Sequence, residues 1–221
     1  SIFKGTFHEI TVLHNEKDEI VAQASGDIAK GTKVGVDILP DSIHLMHFNE
    51  KDKEWSERPY LLLEDMAIVF DILDLDDRSI QRIDHKKANK EEWSDQFLWE
   101  SAKKNTKQLL PAKFEPVYKD FRGHTEDRPV FMVSNKIQRY GAAVICYEDF
   151  LDDISRKYNK SLYLLPTSIH EMLLLFDDGE DQEEDLLHIL EKSDQQLSKE
   201  EFLSENIYYY DKYMGELISL F

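Results

Sequence analysis

The chain has 221 residues, 41% of them hydrophobic and 11% aromatic, enough to bury a sizeable core. Its 45 acidic residues outnumber 27 basic ones, and the net charge of −18 excludes long-range attraction to nucleic acid or to an anionic membrane. The single cysteine, Cys146, excludes an internal disulfide framework and a cysteine-built metal site, which suits a reducing, cytoplasmic setting.

Residues 1–48 differ in texture from the rest. Period-two segments, Thr6 to Leu13 and Glu19 to Ala22, are separated by Gly26, Gly31 and Gly35, a pattern of short strands with glycine at the corners. Val34 to Ile38 and Ile43 to Met46 read as a further strand, turn and strand. No basic-then-apolar leader pattern opens the sequence, and no apolar run reaches the ~18–20 residues that span a bilayer, so no direct membrane insertion is expected.

The fragments Ile2-Phe3-Lys4-Gly5-Thr6 and Lys33 to Met46 resemble the C-terminal TOBE accessory domain of spermidine/putrescine-type ABC transporter ATPases. That resemblance implies a small OB-like barrel and a protein partner, an ABC transporter subunit of a polyamine-type importer. The nucleotide-binding loop of such an ATPase is missing: no G-x-x-x-x-G-K-[ST] run occurs, and Gly31-Thr32-Lys33 has the wrong order.

Residues 49–59, dense in Glu, Asp and Lys, read as a charged connector ahead of a domain over 60–221. Tyr60 to Leu73 reads as a helix running into a strand. The acidic trio Asp74, Asp76 and Asp77 invites a Mg²⁺ or Ca²⁺ reading but lacks the EF-hand glycine and terminal glutamate; a solvated turn is the ordinary alternative, and no cofactor is expected. A helix capped by Asn89 is expected over Lys90 to Leu109, with Trp93, Phe97, Ala102 and Leu109 on one face and Trp99 off it. After Pro111, Ala112 to Asp127 reads as polar loop. Strands are expected at Val130 to Val133 and Tyr140 to Tyr147, then an amphipathic helix with Phe150, Ile154 and Tyr158 inward.

Tyr163 to Phe176 is the structural centre of the chain: two apolar runs joined by the polar turn Pro166-Thr167-Ser168, with Pro166 ending the first strand. A helix from Glu183 to Gln195 follows, then a capping box at Ser198 to Glu201 opening a short helix, and a last strand at Ile207 to Tyr210.

Chemistry converges on the same turn. His170-Glu171 begins like a zinc-protease motif, but Leu174 stands where the second histidine is required. Ser168, His170 and Glu171 form the one local Ser/His/Glu grouping, yet triads assemble across a fold and not within a turn. No G-x-S-x-G elbow is present, and Cys146 lies among apolar neighbours that leave a thiol inert.

A second resemblance covers more of the chain. Arg58-Pro59-Tyr60 to Ile72, Val133-Ser134-Asn135-Lys136, Tyr140-Gly141-Ala142-Ala143, Leu165 to Glu171 and Leu203 to Tyr208, within residues 50–213, resemble an uncharacterised family of domains of unknown function from gut bacteria. It implies no activity and no catalytic residue. The expectation is an α+β protein, with a small N-terminal antiparallel β unit and a mixed sheet-and-helix domain, acting as a non-catalytic accessory, binding or regulatory module. The alternative is a small-molecule enzyme with its site around Pro166 to Glu171, built from Ser168, His170 and Glu171, with Tyr140 as a further candidate. Converging polar groups with a perturbed histidine are expected of the enzyme, and dispersed ones of the module.

Overall fold

A computed structural model describes residues 8–14, 18–24, 29–30, 40–73, 79–117, 129–179, 183–194 and 197–220. The chain divides into two compact units, residues 1–38 and 39–221. In the first, β1 (His8–His14) pairs antiparallel with β2 (Asp18–Ala24), the two strands that period-two alternation predicts. The glycine corners and the strand expected at 34–38 lie outside the described residues.

The second unit begins with a four-stranded antiparallel sheet built on β5 (Met66–Leu73), which is buried at every position. Its alternation feeds two cores: Met66, Ile68, Phe70 and Ile72 enter the main one, while Ala67 and Val69 meet Trp55 on the opposite face. β4 (Tyr60–Leu63) joins β5 through the turn Glu64-Asp65, with Glu64 left-handed at φ 54. The helix expected over the start of this stretch is therefore a strand hairpin. An apolar run buried on both faces hides the period that would have declared it.

The boundary expected near residue 48 also moves. β3 (Ser42–His47) pairs with β5 from Ser42↔Asp71 to His47↔Met66, so it belongs to the larger unit. Residues 49–59 are not a free connector. A short 3-10 helix, Lys53–Ser56, buries Trp55, and Arg58 behind it is only 4% exposed. β6 (Ile80–Arg82) pairs with the far end of β5.

Two helices follow, α1 (His85–Lys90) and α2 (Asp95–Leu109), capped by the side chains of Asp84 and Ser94. The break falls at Trp93-Ser94, so the single helix capped by Asn89 is replaced by two. The buried stripe of α2 is Leu98, Ala102 and Thr106 at spacing four, and Phe97 and Leu109 are exposed.

The six-stranded antiparallel sheet runs in the order β12-β11-β9-β10-β8-β7. β9 (Leu162–Ser168) and β10 (Glu171–Phe176), the expected central hairpin, are its middle strands. Leu162, Leu164, Met172, Leu174 and Phe176 join the main core, and Leu165, Leu173 and Leu175 face Leu186, Ile189 and Leu190 of α4 (Glu183–Asp194). Pro166 does not end β9. The pairing with β11 stops at Leu164, and the register to β10 breaks by a bulge between Glu171 and Met172, so a residue without a backbone donor is accommodated.

Three further readings change. Ala112 to Pro116 is β7, an edge strand pairing with β8 (Val130–Asn135), not loop. Gly141–Cys146 is a 3-10 helix with five of its six residues buried, not a strand. Ser198 does bond Glu201 through both its backbone and its hydroxyl, but the segment is a turn and no helix follows. α3 (Phe150–Tyr158) buries Leu151, Ile154 and Ser155, with Tyr158 exposed. β11 (Tyr208–Asp211) is the expected last strand, and β12 (Glu216–Ser219) pairs with it beyond.

Candidate functional site

Alternation along β3 turns Ile43 and Leu45 into the main core and Ser42 and His44 to the other side, where the register sets Ser42 opposite Asp71 of β5. A buried polar chain results. The Ser42 hydroxyl lies 2.7 Å from His44 Nε2, His44 Nδ1 lies 2.9 Å from Asp71 Oδ2, and Asp71 Oδ1 accepts from Arg58 Nη2 at 2.8 Å. A carboxylate only accepts, so Nδ1–H donates to Asp71, and in the neutral ring Nε2 accepts the hydrogen bond of the Ser42 hydroxyl. Arg58 also donates to Phe70 O and to Glu54, which Arg82 meets from outside at 3.2 Å.

These are the spacings of an acyl-transfer relay, but the relay has no entrance. Ser42 is 0% exposed and His44 4%, so the hydroxyl cannot meet a substrate in this structure. What the chain of bonds does is fix the His44 ring.

Tyr140 stacks on that ring at 4.2 Å with an interplanar angle of 16°. It is delivered by the loop after β8, which Asn135 folds around itself: its Nδ2 donates to Arg139 O, and its Oδ1 accepts from the amides of Ile137 and Arg139. Gln138 and Tyr140 both take left-handed backbone, φ 53 in each, which is strained for a ring-bearing residue. The next residue, Gly141, packs against Ser134 and His170 so closely that a side chain has no room.

The β9–β10 turn holds the loop from its other side. Tyr140 N–H donates to His170 Nδ1 at 3.0 Å, and the ring of His170 meets that of Tyr140 edge-on at 5.4 Å. With Nδ1 accepting, the neutral ring carries its proton on Nε2, 3.7 Å from Glu201. Burial lowers the His170 pKa, against the pull of Glu201 and with the help of Arg139.

Of the residues singled out at this turn, His170 and Tyr140 meet, and Ser168 and Glu171 do not join them in a relay. The Ser168 hydroxyl accepts the backbone N–H of His170 and not a bond from its ring, and Glu171 is half-buried on β10. Cys146 ends the 3-10 helix with its thiol pushed up to about 12 by burial. The metal candidates Asp74, Asp76 and Asp77 lie outside the described residues. Among the described ones, no three His, Cys, Asp or Glu gather as a metal site, and no helix is long and apolar enough to cross a membrane.

Above Tyr140 and His44 lies a cleft of about 520 Å³. Arg58, Arg82, Arg139 and Lys199 bring cations to its lining and Asp52, Glu54, Asp71 and Glu200 bring carboxylates, with Phe202 among its apolar residues. The guanidinium carbon of Arg139 sits 5.3 Å from the centre of the Tyr140 ring. The Tyr140 hydroxyl has no hydrogen-bond partner among the described residues. Sequence reasoning did not find Ser42, His44, Asp71 or Arg58; the one local signal is the Ser-x-His spacing, which sets two polar groups on one face of a strand.

Residues 42–212 match the model of a family of unknown function, DUF5688, and the chain belongs to that family. No curated protein and no solved structure matches the chain. Nothing in these comparisons supports the likeness of residues 1–48 to a TOBE domain. Residues 40–46 of that likeness fall in the larger unit.

Proposed function

We propose that this member of the family is a non-catalytic binding module, accessory or regulatory in role, whose cleft over Tyr140 receives a small ligand bearing a carboxylate or phosphate. The observation that carries the reading is Tyr140 itself. Its backbone is held in a strained left-handed conformation, its ring stacks on His44 with the Arg139 guanidinium also over it, and the residue lines the cleft with a hydroxyl that has no hydrogen-bond partner among the described residues. Strain of this kind persists where surrounding contacts over-determine it, and it collects at ligand clamps. Lys199 adds an ammonium and Arg139 and Arg82 add guanidinium charge around the cleft, against the carboxylates of Asp52, Glu54, Asp71 and Glu200 in the same lining, of which Asp71 and Glu54 are already paired with arginine. The expected association with a polyamine importer rests on the TOBE-like fragments alone and is no part of the proposal.

The test is thermal unfolding of the full chain with citrate, inorganic phosphate and nucleoside monophosphates, each titrated into the millimolar range. One class should raise Tm in proportion to the logarithm of its concentration, by about 2.7 kcal/mol of stability at a hundredfold excess over Kd. Because the Tyr140 hydroxyl has no hydrogen-bond partner among the described residues, Tyr140→Phe should leave the unliganded Tm in place and remove most of the ligand shift. If no probe shifts Tm, or if the shift survives both Tyr140→Phe and Lys199→Ala, the reading fails.

A further inference from the structure

The peptide that joins Arg139 to Tyr140 is held at both ends by side chains. Its carbonyl accepts from Asn135 Nδ2 at 2.7 Å, and its N–H donates to His170 Nδ1 at 3.0 Å. The two holders differ in kind. The Asn135 amide does not titrate, whereas an imidazole accepts at Nδ1 only while it is neutral. A protonated ring carries N–H at both nitrogens, so the Tyr140 N–H would then face a second donor across the same 3.0 Å.

The His170 side chain is 30% exposed, so a proton from solvent reaches it. Charged groups face it from three elements. Glu201, 3.7 Å from Nε2, and Glu171 at the start of β10 favour the charged ring, and Arg139 of the held loop opposes it. Once the ring is charged, Glu201 draws it away from Tyr140 while the Arg139 charge is repelled by it, and both forces pull the latch apart. Ties on either side of Tyr140 do not titrate: Lys136 N–H donates to Pro111 O, Ala142 N–H to Ile169 O, and the Ser134 hydroxyl to His170 O. They keep the two ends of the loop in place and leave Tyr140 between them, its backbone left-handed at φ 53 and inclined to relax once a holder is lost.

We propose that His170 is a proton-operated release for the Tyr140 wall of the cleft: protonation breaks the bond from the Tyr140 N–H, the strained peptide turns, and the Tyr140 ring leaves the face of His44. His44 stays in place, because Asp71 and Ser42 hold its ring at both nitrogens. Acid thus opens one wall of the cleft while both sheets remain formed. The release regulates the cleft assigned above to an anionic ligand and takes its purpose from that reading, but it is made of bonds within the chain and its test uses no ligand, so the two fail separately.

The experiment is amide hydrogen exchange of the full chain, read residue by residue by NMR from pH 7.5 to 5.5, each rate divided by the intrinsic rate at that pH. The latched ring binds a proton more weakly than a released ring of ordinary pKa 6.5, so acid favours release. Protection of the Tyr140 amide should be constant above pH 6.5 and fall below it by up to about tenfold per pH unit, while the amides of Leu164 and Leu174 in the middle of the sheet keep theirs. The nuclear Overhauser contact between the rings of Tyr140 and His44, now stacked at 4.2 Å, should fade over the same range. In His170→Asn, whose amide oxygen accepts the same N–H and does not titrate, both signals should hold. Tyr140 protection that ignores pH, that falls equally in His170→Asn, or that falls only together with Leu164 and Leu174 would each overturn the release. Should the variant fail to fold, the comparison of Tyr140 with Leu164 and Leu174 in the parent decides alone.

Discussion

Gly141 is the residue at which the two loops of the candidate site meet, and its role is space, not backbone freedom. A methyl group there would lie 2.6 Å from the backbone nitrogen of Asn135 and 2.6 Å from His170 O, and would press on the Ser134 hydroxyl that donates to that same carbonyl. Two of the three neighbours are backbone, so neither can rotate away. Gly141→Ala should therefore destabilise the protein by roughly 2–3 kcal/mol, at the upper end of what overpacking costs. In thermal unfolding followed by circular dichroism, that corresponds to a Tm lower by about 5–10 °C. A variant as stable as the parent would mean that the loop after β8 and the β9–β10 turn do not touch at this point. The prediction also bears on ligand binding, because the same contact holds Tyr140 in its left-handed conformation.

The β9–β10 hairpin carries the acceptor that latches this loop, and the latch has a pH dependence. His170 is neutral while Nδ1 accepts the Tyr140 amide, and burial lowers its pKa from the ordinary 6.5. The unfolded chain thus binds the proton more tightly than the folded one, so stability from this group is complete above pH 6.5 and falls as pH drops through the lower folded value. Asp41 has the opposite sign, its pKa being raised by burial, but it titrates from the ordinary 3.8 upward. Comparing urea unfolding at pH 7.5 and 5.5 should show a loss in the parent that shrinks in His170→Asn, whose amide oxygen still accepts and does not titrate. An equal loss in both proteins would remove His170 from the latch. How much of these elements is legible in sequence follows from their physics. Leu162 to Phe176 declares itself because two apolar runs flank a polar break. Gly141 to Cys146 reads as strand because Ala-Ala-Val-Ile suits a buried strand as well as a buried 3-10 turn, and only the fit of Gly141 against Ser134 and His170 decides. His44, Asp71 and Arg58 are not legible at all, since 27 and 13 residues of sequence separate partners that a strand register brings to hydrogen-bond distance.

At the scale of the whole molecule, the question is where the autonomous unit begins, and the sequence and the structure give different answers. Composition places the boundary in the charged stretch 49–59, whereas the compact units of the folded chain divide between residues 38 and 39, ahead of the pairing of Ser42 with Asp71. The two fragments 39–221 and 49–221 differ by ten residues, and those residues contain β3. Losing β3 would remove Ile43 and Leu45, 1% and 0% exposed, from the main core, and would take His44 from Asp71. It would also open one full edge of β5, a strand buried on both faces, to water or to another chain. Deleting buried side chains of this size costs about 2–5 kcal/mol each, so the pair alone matches a large part of an ordinary domain's stability of about 5–15 kcal/mol. The fragment 39–221 should therefore unfold in one cooperative transition with the heat capacity change of an intact domain. The fragment 49–221 should aggregate or unfold without a transition. If the shorter fragment melts as sharply and as high as the longer one, β3 is dispensable, the boundary belongs in the charged stretch, and the buried Ser42–His44–Asp71 chain is an appendage to the domain and not part of its frame.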